Sequence, residues 1–212
     1  LLEAEDESGQ RLGIEELKDQ LLLLLFAGHE TLTSALASFC LLLAQHPEVK
    51  AKARCEQAQF QTAELSLESL KQMTYLDSVL KEVLRLIAPV GGGFRKVAKT
   101  CELGEYTLPE GWTVLYSINL THLDSEIFPN PERFEPERFR DRSPEPFSYL
   151  PCGGGVRECL GKEFARLEMK LFAAQLLRQY DWELLPNQDL ELKTIPTPRP
   201  KDGLKVRIWE LE

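Results

Sequence analysis

Positive charge is scarce in this sequence. Its 25 Lys and Arg stand against 34 Asp and Glu, a formal net charge of −9. A phosphate backbone wants a basic footprint, so nucleic acid is a poor partner, although an acidic total leaves room for a local basic patch. Cysteine is sparse as well. The five, at 40, 55, 101, 152 and 159, are an odd and widely spaced set, which argues against a disulfide scaffold and for a reducing compartment. The opening LLEAEDESGQ has neither the basic start nor the apolar stretch of a targeting signal. It also lacks an initial Met, and reads as a piece cut from something longer. Internal repeats are missing, and so is a regular alternation of strand and helix patterns. The latter argues against a doubly wound sheet.

What is present suffices for a sizeable core, since 43% of the 212 residues are apolar. Residues 1–12 are acidic and expected to be mobile. A long helical pattern starts near Gly13 and runs to Pro47. Within it, Leu21 to Ala44 contains only His29 and Glu30 as acidic or basic residues, enough to raise the question of a membrane span. Glu30 near the middle would cost roughly 2.5–3.5 kcal/mol there, so the buried axis of a soluble fold is favoured. Pro47 restarts a charged helix. The segment SLESLKQMTYLDSVLKEVLRLI reads as one further helix, stopped by Pro89. Strand-like pieces follow in FRKVA, EYTLP and WTVLYSI, then a proline-rich meander, FPNPERFEPERF. Leu160 to Gln179 is again helical, ahead of strand candidates in YDWELL, LELKTI and LKVRIW. Long helices first and small sheets later predict a mainly α, α+β fold.

Three constellations carry chemical character. In YLPCGGGVRECLGKEF, Cys159 stands where a glycine-rich loop meets a helix start, and free backbone N–H groups there favour a thiolate. Gly153, Gly154 and Gly155 let the loop approach a flat ligand, and Arg157 can clamp a carboxylate or phosphate. An ordinary turn with a buried cysteine fits the same letters equally well. In AGHET, Thr31 can hydrogen-bond the Ala27 carbonyl and, beside Gly28, open the helix locally, with Glu30 next to it as a proton source. The plainer alternative has Gly28 allowing close packing and Glu30 meeting a basic neighbour. In KEVLRL, Glu82 and Arg85 share one helix face and would need a further partner if buried, with Arg138 as candidate. A zinc site on Cys152 and Cys159 is a weaker option, because no second close cysteine pair exists.

Together these residues resemble the cytochromes P-450. CGGGVRECLG is similar to that family's haem-binding segment F-x-x-G-x-R-x-C-x-G. AGHET resembles its oxygen-groove motif, Glu82 and Arg85 its E-x-x-R, and Pro136 to Phe139 its PERF segment. The four occur in the family's order. The resemblance spans essentially the whole chain but only the C-terminal half of the family's fold, so residues 1–212 would form a single partial domain. The strings GGGFR, GWTVLYSI, CLGKEFARLEMKLF and TPRPKDGL are closest to the branch of retinoic-acid hydroxylases and their bacterial relatives.

The resemblance implies haem b (iron protoporphyrin IX) as cofactor and a monooxygenase acting on an apolar, retinoid-like substrate with O₂. Cys159 would be the axial ligand of the haem iron. Arg157 and Arg95 would hold the propionates, with Gly153, Gly154 and Gly161 shaping the loop. Thr31 and Glu30, at a groove opened by Ala27 and Gly28, would handle protons. Glu82, Arg85 and Arg138 would form a buried structural triad. Val90, Gly91, Gly92 and the turn at Pro198 would border the substrate pocket. Cys152 departs from the pattern, which has Phe there, and that change is expected to give a looser loop and, when haem is absent, a Cys152–Cys159 cross-link. Lys162, Arg166 and Lys170, on one helix face, would receive an electron donor of ferredoxin or flavin-reductase type. A solvated face paired with local Glu residues fits them as well. The expected setting is cytoplasmic and soluble.

Overall fold

The structure, a computed structural model, describes residues 1–60, 65–140 and 144–211. Residues 1–12 form a small exposed turn. It is closed by a Glu5–Arg11 ion pair of 2.8 Å, with Asp6 accepting the Ser8 and Gln10 amides. Helix α1 (Ile14–Gln45) then runs unbroken for 32 residues. Its first turn is closed by Glu16, whose carboxylate accepts the Gly13 amide at 2.8 Å. Pro47 cannot continue the helix and opens α2 (Pro47–Ala58) at the first position, where its missing N–H is harmless.

Burial along α1 is one-ended, which corrects the expectation of a helix enclosed throughout. Ser34, Ala35, Ser38, Phe39 and Leu41 to Leu43 are buried, whereas Leu21 to Phe26 are all exposed. The helices and strands packed against α1 cover only its second half. By length and composition α1 could cross a membrane, but that second half is part of this chain's own core.

The expected single helix from Ser66 to Ile87 is two. Helix α3 (Leu67–Gln72) is capped by Ser66, whose hydroxyl accepts the Ser69 amide at 3.2 Å. Met73, fully buried, breaks the run, and α4 (Thr74–Leu86) restarts it. The cap for α4 comes from another helix. The Glu56 carboxylate of α2 accepts the Tyr75 amide at 2.7 Å and the Leu76 amide at 2.9 Å. A distant carboxylate thus satisfies orphan N–H groups that periodicity alone cannot reveal.

Among the described residues four two-stranded antiparallel sheets follow. Strand β1 (Gly92–Lys96) pairs with β4 (Thr113–Ser117), and β2 (Cys101–Leu103) with β3 (Tyr106–Leu108). Strand β5 (Tyr180–Leu184) pairs with β8 (Val206–Glu210), and β6 (Leu192–Lys193) with β7 (Arg199–Pro200). Each expected strand segment overlaps one of these. Strands β2 and β7 and the short helix α5 (Ile118–His122) are additional. The proline-rich meander ends in a 3-10 turn, Pro136–Phe139. Helix α6 (Lys162–Gln179) starts two residues later than expected, with Gly161 at its cap.

The core joins α1, α2, α4, α6 and β5 through Phe39, Leu43, Ala53, Leu76, Val79, Val83, Ala173, Leu177 and Trp182. Trp182 Nε1 donates to the Cys40 carbonyl at 2.9 Å, and Asp181 pairs with Lys50 (2.7 Å) and Arg54 (2.8 Å) of α2. The core thereby holds α1, α4 and α6 as a rigid frame around a cleft. Leu76 is fully buried and Leu67 is exposed. Leu76→Ala is therefore expected to lower unfolding free energy by about 2–5 kcal/mol, and Leu67→Ala by no more than about 0.5 kcal/mol. Urea denaturation of the two variants against the parent measures the contrast.

Candidate active site

The loop before α6 is shaped by its glycines. Gly153 and Gly155 have φ of +69° and +70°, the left-handed region that side chains disfavour. They fold the segment back so that the Cys159 amide donates to the Cys152 carbonyl at 3.0 Å. The sulfur of Cys159 lies over the start of α6: a Cβ placed on Gly161 would sit 4.0 Å from it. Gly154 packs on Phe147 and Leu150, where an added Cβ would meet ring and methyl carbons at 3.2–3.3 Å.

The two cysteines of this loop differ. Cys159 is exposed and Cys152 half-buried. Burial, followed by the neighbouring Cys159 sulfur, pushes the Cys152 thiol up to about 11, so it keeps its proton near neutral pH. Cys159 is the sulfur available as a ligand. A zinc site on the pair finds no support: among the described residues no group of three or more His, Cys, Asp or Glu could hold a metal.

One cleft of about 250 Å³ brings together Cys159, Arg157, Cys152 and Gly153 from the loop with Thr31, Leu32 and Ala35 from α1. Leu84, Val90, Ile118, Ala165 and Met169 supply its apolar walls. Among the described residues Arg157 has no side-chain hydrogen bond or ion pair, although it borders the cleft. An accessible sulfur, an unmatched guanidinium and apolar walls fit a flat, mostly apolar, metal-bearing cofactor with acidic substituents, and haem has that chemistry. Arg95 stands to one side. Its guanidinium donates to the Phe94 carbonyl at 2.8 Å and stacks on Tyr116, 5.0 Å from the ring centre, and Tyr116 lines the cleft.

The AGHET segment behaves differently from expectation. Thr31 does donate to the Ala27 carbonyl, at 2.7 Å, yet α1 remains helical through Ala27 and Gly28. A carbonyl oxygen has two lone pairs and can accept the hydroxyl without surrendering the helical bond. Glu30 lies 3.6 Å from His29 and is not on the cleft wall. Around Gly28 nothing approaches within 4 Å of an added Cβ, so it serves no close packing among the described residues.

Of the substrate-pocket residues, Val90 alone lines the cleft. The Gly91 carbonyl accepts the Ile118 amide at 2.9 Å, and a Cβ on Gly92 would come 2.3 Å from the Tyr116 carbonyl. Both glycines thus serve the seam between β1, β4 and α5. The Pro198 carbonyl accepts the Ser34 hydroxyl at 2.7 Å, which anchors its turn to α1.

Behind the cleft, Glu82 and Arg85 are fully buried. Arg85 contacts the carboxylate twice, at 2.7 and 2.8 Å, and Arg138 Nε adds a contact at 3.0 Å. The three form the buried cluster that the sequence suggested. Lys162 pairs with Glu158 at 2.7 Å, while Arg166 and Lys170 reach Asp77 at 3.0 and 3.4 Å. Local anions therefore balance these cations.

Sequence reasoning missed His122. It is fully buried, and its Nδ1 lies 3.1 Å from the Arg85 carbonyl. Its Nε2 accepts the Leu150 amide at 2.8 Å. These partners are 37 and 28 residues away, so no local spacing announces them. Burial, and then the Arg85 charge, hold His122 down at about 4 against an ordinary value of 6.5, although the Arg85 carbonyl pulls the other way.

The sequence matches the family profile described as Cytochrome P450 over residues 1–206. It is 58% identical over 216 residues to the Synechocystis protein named cytochrome P450 120, covering all of this chain and 49% of that one. It is 42% identical over 217 residues to cytochrome P450 26A1 of Gallus gallus, covering 98% of this chain and 44% of that one. The solved structure of a cyanobacterial CYP120A1 with retinoic acid bound superposes with a TM-score of 0.93 at 57% identity. That match covers 99% of this chain and 49% of the other. The chain therefore spans about half the length of these relatives.

The neutral His122 makes stability depend on pH. The unfolded imidazole takes a proton near 6.5 and the folded one near 4, so the unfolded state binds more protons between those values. Stability from this group is complete above about pH 6.5, falls as pH drops toward 4, and amounts to at most about 3 kcal/mol. Denaturation midpoints measured from pH 7 to 4 should fall over this window in the parent and fall less in His122→Gln.

Proposed function

The chain belongs to the cytochrome P450 family, and we propose that it supplies the haem-thiolate side of a monooxygenase acting on an apolar, retinoid-like substrate. In this reading residues 1–212 form one partial domain, the C-terminal half of the family's fold. The observation that carries the reading is one cleft shared by Cys159, Thr31 and Arg157, whose guanidinium has no partner among the described residues. When bound, thiolate-ligated haem activates O₂ so that one oxygen atom enters a C–H bond.

The chain's own residues do the rest. Cys159 presents its sulfur as the iron ligand, and the backbone bond from its amide to Cys152 holds the loop in register. Arg157 clamps one carboxylate of the cofactor, and Arg95, steadied on Tyr116, is assigned a second. Leu84, Val90, Ile118 and Met169 exclude water from the cleft wall. Thr31 has its proton on the Ala27 carbonyl, so its oxygen is free to accept from a ligand in the cleft. Glu30, one residue before it, is the proposed proton source. The retinoid assignment is supported by the retinoic acid bound to the similar cyanobacterial CYP120A1.

An electron donor of ferredoxin or flavin-reductase type is proposed to dock near Lys162, Arg166 and Lys170. Their local pairing with Glu158 and Asp77 leaves weak charge steering there, so docking depends on fit. A cytoplasmic setting accords with five unpaired cysteines.

The reduced, CO-bound absorption spectrum tests the assignment of Cys159. Protein loaded with haem should give the strongly red-shifted Soret band of thiolate ligation, and Cys159→Ala should abolish that shift. A band unchanged by the substitution would contradict the assignment, and a chain that takes up no haem would be a scaffold without the activity. Thr31→Ala should leave the band in place while lowering product formation by about 100-fold, read as product released per O₂ consumed.

A further inference from the structure

His122 touches neither the cleft nor the carboxylate of Glu82, yet it lies between the buried ion cluster and the thiolate loop. Arg85 Nη1 donates to the His122 carbonyl at 2.8 Å, and the Arg85 carbonyl faces the ring's Nδ1 at 3.1 Å. A carbonyl can only accept, so Nδ1 carries the hydrogen. On the other side the Leu150 amide donates to Nε2 at 2.8 Å. An amide can only donate, so Nε2 must keep its lone pair. The two partners select one neutral tautomer. The ring is further held by stacking on Tyr149 (5.4 Å, 20°) and by the edge of Phe128 (6.2 Å, 87°). Tyr149, in turn, donates its hydroxyl to the Lys81 carbonyl of α4 at 3.1 Å.

Leu150 is the residue from which the glycine-rich loop departs, with its carbonyl accepting the Gly153 amide at 2.9 Å. Two residues on, the Cys152 carbonyl accepts the Cys159 amide. We propose that His122 is a positioning residue of the thiolate loop: its neutral ring fixes the Leu150 amide against α4, and so fixes where the Cys159 sulfur stands. The displacement of its basicity to about 4 is in keeping with a ring that stays neutral in service. Removal of the acceptor leaves the half-buried Leu150 N–H without its partner at the root of the loop.

This inference rests on the thiolate reading for its consequence, but its geometry can be tested separately. Backbone amide exchange is measured in the full chain without haem at Leu150 and Cys159, with Ala173 of the core as the reference for global unfolding. His122→Leu removes both ring nitrogens, whereas His122→Gln places an amide oxygen where Nε2 accepts. Exchange at Leu150 and Cys159 relative to Ala173 should rise about tenfold or more in His122→Leu and return to near the parental value in His122→Gln. Loop amides unchanged in His122→Leu, or all three amides accelerated alike, would overturn the proposal. If His122→Leu does not fold, His122→Gln decides: Leu150 protection retained supports positioning, and protection lost refutes it.

With haem loaded, the same variants are read by the thiolate band of the CO complex. His122→Leu should pass a large share of it to the less shifted band of a protonated sulfur, and His122→Gln should restore it. A parent lacking the thiolate band would defeat the functional reading, while the exchange data would still judge His122.

Discussion

The Glu82 carboxylate, with no exposed surface, accepts Arg85 Nε and Nη2, Arg138 Nε and the Glu135 amide, at 2.7 to 3.0 Å. A charge removed from water is tolerated only when its lone pairs are met this fully. The donors come from α4 and from the segment that ends in the 3-10 turn, so one carboxylate joins parts of the chain more than fifty residues apart. The remaining donors of Arg85 continue outward to the carbonyls of His122 and Arg133. The His122 ring carries the same network to Leu150, and the loop's own backbone carries it to Cys159. The buried carboxylate is thus joined, through successive hydrogen bonds, to the loop that carries the Cys159 sulfur.

The parts of the fold that were legible in the sequence are those set by local chemistry. Apolar periodicity and Pro47 mark α1 and α2, and the alternation in WTVLYSI and YDWELL marks β4 and β5. The break at Met73 was not legible, because the cap of α4 is Glu56 on another helix. The exposed half of α1 was not legible either: Leu21 to Phe26 have the same composition as a buried helix, and only the arrangement of neighbours leaves them uncovered.

The candidate site divides in the same way. Glu82 and Arg85 share one turn and could be paired from spacing, and Arg138 could be nominated as their third member. Cys159 and Arg157 follow from a loop whose glycines adopt left-handed backbone. Which of two cysteines would bind a metal required burial, which keeps Cys152 a thiol. Gly91 and Gly92 match pocket residues in sequence, whereas close contact with Asn119 and Tyr116 explains them. His122 left no trace in the sequence because its hydrogen-bond partners, Arg85 and Leu150, are distant along the chain.

The cleft is walled by the Cys159 loop, α1 and α6, with Leu84, Val90, Tyr116 and Ile118 completing it. Val156 and Leu160 of the loop and Phe94 of β1 remain exposed beside it. The most direct measurement of the central claim is iron-edge X-ray absorption on the haem-loaded chain, which counts the atoms bound to iron without reference to activity. The account predicts one sulfur in the iron's coordination shell, lost when Cys159 is replaced. A shell of nitrogen and oxygen alone, or a sulfur that persists in that variant, would contradict it.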